Sequence, residues 1–63
     1  MIELTNIGKQ KFILNCNQIE KIEKTPESVI TLMNGDKFVV RESPQEIIDK
    51  TIEYKRKIFN VKL

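Results

Sequence analysis

The pair Asn34-Gly35 constrains the fold of this chain more than any other feature of its sequence. It separates residues 28–33 from residues 36–41, two runs rich in β-branched and aromatic side chains. An Asn-Gly pair accepts positive φ at both central positions of a type I′ turn, whose twist matches that of the flanking antiparallel strands. The sequence therefore predicts a β-hairpin closed by a two-residue loop.

A two-residue loop also predicts which residues of the hairpin lie opposite each other. The expected pairs are Met33 with Asp36, Thr31 with Phe38 and Val29 with Val40 on one face, and Leu32 with Lys37 and Ile30 with Val39 on the other. Both faces are largely apolar, whereas a hairpin with one wet face alternates more regularly. We expect a helix on one face, and a curled sheet or a second protein chain on the other.

Three further segments before the hairpin are predicted to be strands or turns. Residues 2–5 alternate between apolar and polar types, and residues 11–14 are mostly apolar, so both are predicted strands. Residues 18–24 have apolar side chains three apart, as in a helix, but the segment is short and soon reaches Pro26. We therefore predict a turn or bulge near Asn17 that leads into a third strand.

A C-terminal helix is predicted from about residue 44 to residue 59. Ser43 can cap its first turn while Glu46 reciprocates, and Pro44 suits the first helical position. Apolar side chains then recur at three- and four-residue spacings: Ile47, Ile48, Ile52, Ile58 and Phe59. The predicted fold class is α+β, with a small antiparallel sheet of four to five strands, either open or curled into an SH3-like barrel, and one C-terminal helix.

The length of 63 residues allows one domain, predicted to span residues 1–63. A domain of this size buries only about 60% of the surface that its unfolded chain exposes. Cys16 is the only cysteine and histidine is absent, so neither a disulfide nor a Cys/His metal site can support the core. We therefore expect the protein to associate with itself as a homo-oligomer or with another protein.

The sequence offers no recognisable catalytic equipment, so we expect a protein that is not an enzyme and uses no cofactor or metal. No histidine can carry protons near neutral pH, and nothing nearby in sequence activates Cys16, which is predicted to be a small, partly buried apolar residue. Gly8 and Gly35 fit turns rather than a phosphate-binding loop. No signal peptide or membrane-inserting segment is recognised, so the expected location is the cytoplasm.

Two candidate surfaces carry the functional predictions. The first is an apolar interaction surface made of Ile30, Leu32, Val39, Tyr54 and Phe59, with an apolar tail that includes Val61 and Leu63. The second is a basic patch made of Arg41, Lys55, Arg56 and Lys57. Basic residues at a helix C-terminus also stabilise the helix dipole, and four cations are few for a nucleic-acid site. We favour the dipole and solubility interpretation, and expect nucleic acid not to be a partner.

The order and spacing of short segments over residues 1 to about 58 resemble the short flagellar FlbD/SwrD family. The segments are Met1-Ile2-Glu3-Leu4-Thr5, Phe12-Ile13-Leu14-Asn15, Ile19-Glu20, Ile22-Glu23, Thr25-Pro26, Val29-Ile30-Thr31-Leu32, Asn34-Gly35, Phe38-Val39-Val40, Arg41-Glu42-Ser43, Ile47-Ile48 and Tyr54. The resemblance implies a non-enzymatic accessory protein that supports motor power for swarming. It further implies a flagellar motor or stator component as partner and a location at the inner face of the motor.

A second, shorter resemblance concerns LytTR-type DNA-binding domains. It covers the hairpin and the start of the helix, from Val29 to Leu32 and from Val40 to Ser43. Those domains are substantially longer than this chain, and a shared hairpin-to-helix turn does not require a shared function. A small nucleic-acid-binding regulator is therefore the alternative function.

Overall fold

The computed structural model of the chain describes residues 1–59 and contains five antiparallel strands and one α-helix. The elements are β1 (Ile2–Thr5), β2 (Lys11–Leu14), β3 (Ile19–Lys24), β4 (Ser28–Leu32), β5 (Lys37–Val40) and α1 (Pro44–Phe59), with a short 3-10 helix at Cys16–Gln18. The predicted α+β class and the single C-terminal helix are confirmed, and the helix has the predicted bounds.

The strands form two sheets, one with the order β1-β2 and one with the order β3-β4-β5. An isolated bridge between Asn6 and Val40 joins them, and the backbone N–H of Arg41 donates to the carbonyl of Thr5 at 2.8 Å. Within residues 1–59 the strands do not close into a continuous sheet. The SH3-like alternative is therefore not confirmed, and the architecture is two small sheets joined at one corner.

The hairpin forms as predicted, but its loop has three residues rather than two. The N–H of Leu32 donates to the carbonyl of Asp36 at 2.8 Å, and Gly35 has a φ of 95° while Asn34 does not have positive φ. Asn34 instead uses its side-chain Oδ1 to accept from the N–H of Asp36 at 2.9 Å. A turn followed by a left-handed glycine is the usual three-residue hairpin loop, and the asparagine side chain stabilises it locally.

The longer loop shifts the strand register by one residue, so the predicted pairs are wrong. The observed pairs are Ser28 with Val40, Val29 with Val39, Ile30 with Phe38 and Thr31 with Lys37. Because neighbouring residues on a strand point to opposite faces, this shift separates Ile30 from Val39. Ile30 and Leu32 belong to the inner face, whereas Val29 and Val39 belong to the outer face.

The core lies between the inner faces of both sheets and one residue of α1. Its buried side chains are Ile2, Leu4, Leu14, Cys16, Ile30, Leu32, Val40 and Ile47, with Phe12, Ile19, Ile22 and Tyr54 packed against them. Cys16 is buried, as expected for a thiol that acts as a small apolar side chain. Each sheet is too small to bury its own apolar face alone, so the two sheets and the helix depend on each other.

The segment before the hairpin also follows its prediction. The 3-10 helix at Cys16–Gln18 forms the predicted turn near Asn17, whose N–H donates to Oδ1 of Asn15 at 3.0 Å. Strand β3 follows, and its register with β4 shifts between Ile19 and Lys21, which marks the irregularity expected there. Of the helices in the described part of the chain, none is long and apolar enough to cross a membrane.

Candidate interaction surface

The first turn of α1 is held by the capping box that the sequence predicts. The N–H of Glu46 donates to Oγ of Ser43 at 3.1 Å, and the N–H of Ser43 donates to Oε1 of Glu46 at 2.8 Å. Two N–H groups that the helix itself leaves unpaired are thereby satisfied. The cap determines where α1 starts and hence which of its side chains face the sheets.

The residue before the cap ties the helix to the first strand. Both carboxylate oxygens of Glu42 accept from Thr5, one from its N–H at 2.9 Å and one from its hydroxyl at 2.8 Å. Burial alone would raise the pKa of Glu42, but these two hydrogen bonds, the N–H of Glu42 itself and the charge of Lys50 together lower that pKa. Glu42 therefore joins the end of β1 to the entry of α1 as a carboxylate.

Only a narrow strip of α1 is covered by the sheets. Ile47 is fully buried, Thr51 and Tyr54 are half-buried, and the other residues from Ile52 to Phe59 are exposed. The main contacts of α1 are with β1 and β3. The helix is thus anchored through its N-terminal half, while its C-terminal half presents most of its surface to solvent.

The exposed flank of α1 carries a row of large apolar side chains, here called the helix stripe: Ile48, Ile52 and Phe59. Their exposed fractions are 43%, 49% and 78%. At about 100° per residue the three project within roughly 40° of one another. Ile58 is 45% exposed although it projects within roughly 20° of Ile47, so it lies on the packed side of the helix, beyond the part that the sheets cover. Exposed apolar side chains gathered on one side of a helix are typical of surfaces that bind another molecule.

The structure does not bring the five predicted interaction residues together. Ile30 and Leu32 are buried in the core, and Tyr54 is half-buried against it. Val39 lies on the outer sheet face, and of the five only Phe59 is strongly exposed on the helix. The predicted apolar tail with Val61 and Leu63 falls outside the described residues.

The sequence prediction groups Ile48 and Ile52 with Ile47 as apolar residues of one helix, and for that reason it does not identify them as surface residues. The signal was available in the spacing. Ile47 and Ile48 are adjacent, so they point about 100° apart, and a single packing face cannot bury both together with their repeats. When the apolar residues of a helix cover more of its circumference than one packing face can bury, some of them remain exposed to solvent or to a partner.

The outer sheet face is a second, smaller exposed apolar surface, defined by Val29 and Val39. Val39 is 36% exposed and lies opposite Val29, which is half-buried. Charged side chains border the pair: Lys21 lies 3.8 Å from Glu23, and Nζ of Lys37 donates to the hydroxyl of Thr31 at 3.1 Å. An apolar centre with a charged border is the usual composition of a protein-binding patch.

The four basic residues do not form one patch. Arg41 precedes the helix, whereas Lys55 lies roughly 16 Å further along the helix axis. Arg56 pairs with Glu53 at 3.5 Å, and both side chains are largely exposed. One of the cations is therefore paired with a neighbouring carboxylate, which suits a solvated helix end better than a phosphate-binding surface.

Residues 1–59 contain no cluster of three or more His, Cys, Asp or Glu that could hold a metal ion. An open groove between the start of β1 and α1 is lined by side chains of both charge signs: Met1, Ile2, Glu3, Asp49, Lys50, Glu53, Tyr54 and Lys57.

Comparison with protein families identifies a match over most of the chain. The sequence model of the FlbD family, described as flagellar and swarming motility proteins, matches residues 1–59. No curated protein and no solved structure matches the chain. The family match covers all five strands and the whole of α1, including the helix stripe and the Glu42–Thr5 contact.

Proposed function

The chain belongs to the FlbD family of flagellar and swarming motility proteins, and on that premise we propose that it is a non-enzymatic accessory protein that supports flagellar motor power for swarming. It acts through protein–protein contacts with a motor or stator component. The place of action is the cytoplasmic side of the membrane, at the inner face of the motor. No cofactor is part of this mechanism.

The observation that carries the proposal is the helix stripe. A chain of 63 residues has little apolar side chain to spare for a core, yet Ile48, Ile52 and Phe59 are exposed. Exposing three such residues in one row weakens solubility unless the row is covered in the working protein. Coverage by another polypeptide accounts for the stripe without requiring any catalytic group.

Replacing one stripe residue by lysine tests this directly. Ile52→Lys places a charge in the centre of the stripe, where it must be desolvated on docking, so we expect swarming to be lost or strongly reduced. The variant is produced in a strain whose chromosomal copy is deleted, and its amount is checked by immunoblot. Its folding is checked by circular dichroism of the purified protein.

Ile13→Lys is the matched control for the stripe variant. Ile13 is 63% exposed on the outer face of β2 opposite Glu3, so the same substitution adds the same charge at a similarly exposed site. We expect this control to swarm normally. If folded Ile52→Lys protein supports swarming as well as the control does, the helix stripe is not a working surface.

The outer sheet face is the surface we propose for the motor component itself. Val39→Lys should abolish capture of the purified cytoplasmic part of a stator subunit, because it charges the apolar centre of this face. Ile30→Lys is unsuitable for this purpose, since Ile30 is fully buried and a charge there would unfold the domain. Capture of the folded Val39→Lys protein at wild-type strength would remove the outer sheet face from the proposal.

The nucleic-acid alternative receives no support. The family match concerns motility proteins, and Arg41 is separated from the cations at the helix end. Glu53, paired with Arg56, adds a negative charge where a phosphate would have to lie. Binding to duplex DNA that falls steeply with salt would be the result that revives this alternative.

A further inference from the structure

We propose that the helix stripe is the interface between two copies of this chain, which pair their α1 helices antiparallel about a two-fold axis. This inference rests on the proposed function, in which the stripe is a covered surface, and it identifies what covers it. A symmetric dimer uses the same patch on both copies, so one row of side chains must complement itself. The stripe and its charged neighbours meet that requirement.

The charges along α1 are divided between its two halves. Residues 44–53 contain Glu46, Asp49 and Glu53 with a single cation, Lys50, whereas residues 54–59 contain Lys55, Arg56 and Lys57 with no acidic residue. Glu46, Glu53 and Lys57 project more than about 100° from the centre of the stripe, so Asp49, Lys55 and Arg56 are the charges that border it. Antiparallel pairing places Asp49 of each helix beside the basic residues of the other. Parallel pairing would place like charges side by side, which is unfavourable.

The apolar side chains predict the register of the pair. If Ile48 of one copy lies opposite the partner's Phe59, then Phe59 lies opposite the partner's Ile48, and the least and most exposed residues of the stripe cover each other. In the same register Ile52 lies opposite the partner's Lys55. A lysine can lay its aliphatic stem along an isoleucine while its ammonium group reaches solvent.

This register also aligns charges along one edge of the stripe. Asp49 and Arg56 project on the same side of the helix, within roughly 20° of one another at about 100° per residue. In an antiparallel pair this edge of one helix lies beside the same edge of the other. Asp49 of each subunit therefore lies near the partner's Arg56, which gives two equivalent contacts in the dimer. Arg56 is free to exchange partners because its pair with Glu53 is exposed and therefore weak.

A second copy explains the surface better than other occupants do. A uniformly acidic partner or a nucleic acid would pair with Arg56 but be repelled by Asp49, which lies on the same edge of the stripe, whereas a second copy matches both charges. The contact is one helix wide, so it falls below the roughly 800 Å² per partner of a standard stable interface. We therefore expect a reversible dimer whose population depends on protein concentration and, through its ion pairs, on salt.

The test is sedimentation equilibrium of the full chain over a dilution series at low salt. Asp49→Arg and Arg56→Asp should each weaken dimerisation by about tenfold or more, because each leaves two like-charged contacts in the dimer. The double variant Asp49→Arg with Arg56→Asp reverses both ends of each pair and should recover most of the wild-type affinity. Ile52→Lys should remain monomeric, and circular dichroism verifies that every variant is folded.

A wild-type protein that stays monomeric at millimolar concentration would overturn the inference, as would a double variant that fails to recover. Swarming assays separate this failure from that of the proposed function. If the chain is a monomer and Ile52→Lys still abolishes swarming, the stripe docks a motor protein, so the dimer is wrong and the proposed function survives. If Ile52→Lys is monomeric and swarms normally, the dimer stands and the stripe has no role in motility.

Discussion

Glu42 is the residue on which the junction between the two sheets and the helix depends most. Its carboxylate accepts two hydrogen bonds from Thr5, and the next backbone contact along the junction is the Arg41 N–H to Thr5 carbonyl bond. Hydrogen bonds to a charged acceptor are about twice as strong as neutral ones. The Glu42 side chain and this backbone bond together hold β1 against the segment that leads into α1.

The lowered pKa of Glu42 predicts a pH dependence of stability. The contribution of a carboxyl group whose pKa falls on folding is fully present above its unfolded value, taken as 4.5, and is lost as the pH falls through the folded value. Glu42→Gln should therefore lower the melting temperature at pH 7, and the difference from wild type should shrink below about pH 4.5. Thermal melts followed by circular dichroism at several pH values measure this difference in melting temperature.

The control for this prediction is Glu20→Gln, which neutralises an exposed glutamate on β3. It should leave the melting temperature at pH 7 within the scatter of the wild-type protein. A constant difference between Glu42→Gln and wild type from pH 7 to pH 3 would show that the charge of Glu42 does not stabilise the junction.

At the scale of elements, α1 depends on its N-terminal cap because few of its residues are covered. Ser43→Ala removes the hydroxyl that accepts from the N–H of Glu46, and we expect it to lower the free energy of unfolding by about 0.5–2 kcal/mol. Urea unfolding provides the measurement. Ser43→Asp keeps an acceptor and a favourable charge at the helix start, so it should unfold near the wild-type urea concentration, and equal losses in both variants would exclude the cap as the cause.

The secondary-structure elements differ in how well the sequence predicts them. The cap of α1, the turn before β3 and the existence of the hairpin follow from local chemistry, and each forms as predicted. The hairpin register does not, because Asn-Gly suits both a type I′ turn and a three-residue loop with only Gly35 left-handed. The choice between them depends on which strand residues the core accepts, which a pattern of two apolar faces leaves open.

The candidate interaction surface was likewise only partly predictable from the sequence. The pattern of α1 identified its apolar residues, but their division between core and surface depends on where the sheets touch the helix. The side of α1 that packs on the sheets includes Ile47, whereas the neighbouring Ile48 is exposed although it is the same type of residue. The prediction of Ile30 and Leu32 as surface residues followed from the register and changed with it.

At the scale of the whole molecule, α1 joins the common core mainly through one buried residue, with Tyr54 packed at its edge. Ile47 is the only fully buried residue among those of α1 from Pro44 to Phe59. Ile47→Ala should therefore lower the free energy of unfolding by about 2–5 kcal/mol, a large share of the stability of so small a domain. Urea unfolding at concentrations that favour the monomer measures this loss.

Ile48→Ala is the control for the prediction about Ile47. Ile48 is 43% exposed, so the same deletion at the next position should cost much less under the same monomeric conditions. Similar losses at both positions would mean that α1 packs with a different face from the one described.

The contact between Thr5 and Glu42 spans 37 residues, whereas β3, β4 and β5 are joined by short turns. Pairings between near neighbours close small loops and form quickly, while a contact across most of the chain carries a larger entropy cost. Strand β1 is thus expected to join the rest of the fold among the last elements. Substitutions at this junction should accelerate unfolding and leave the folding rate nearly unchanged, since the interactions they remove form after the rate-limiting step.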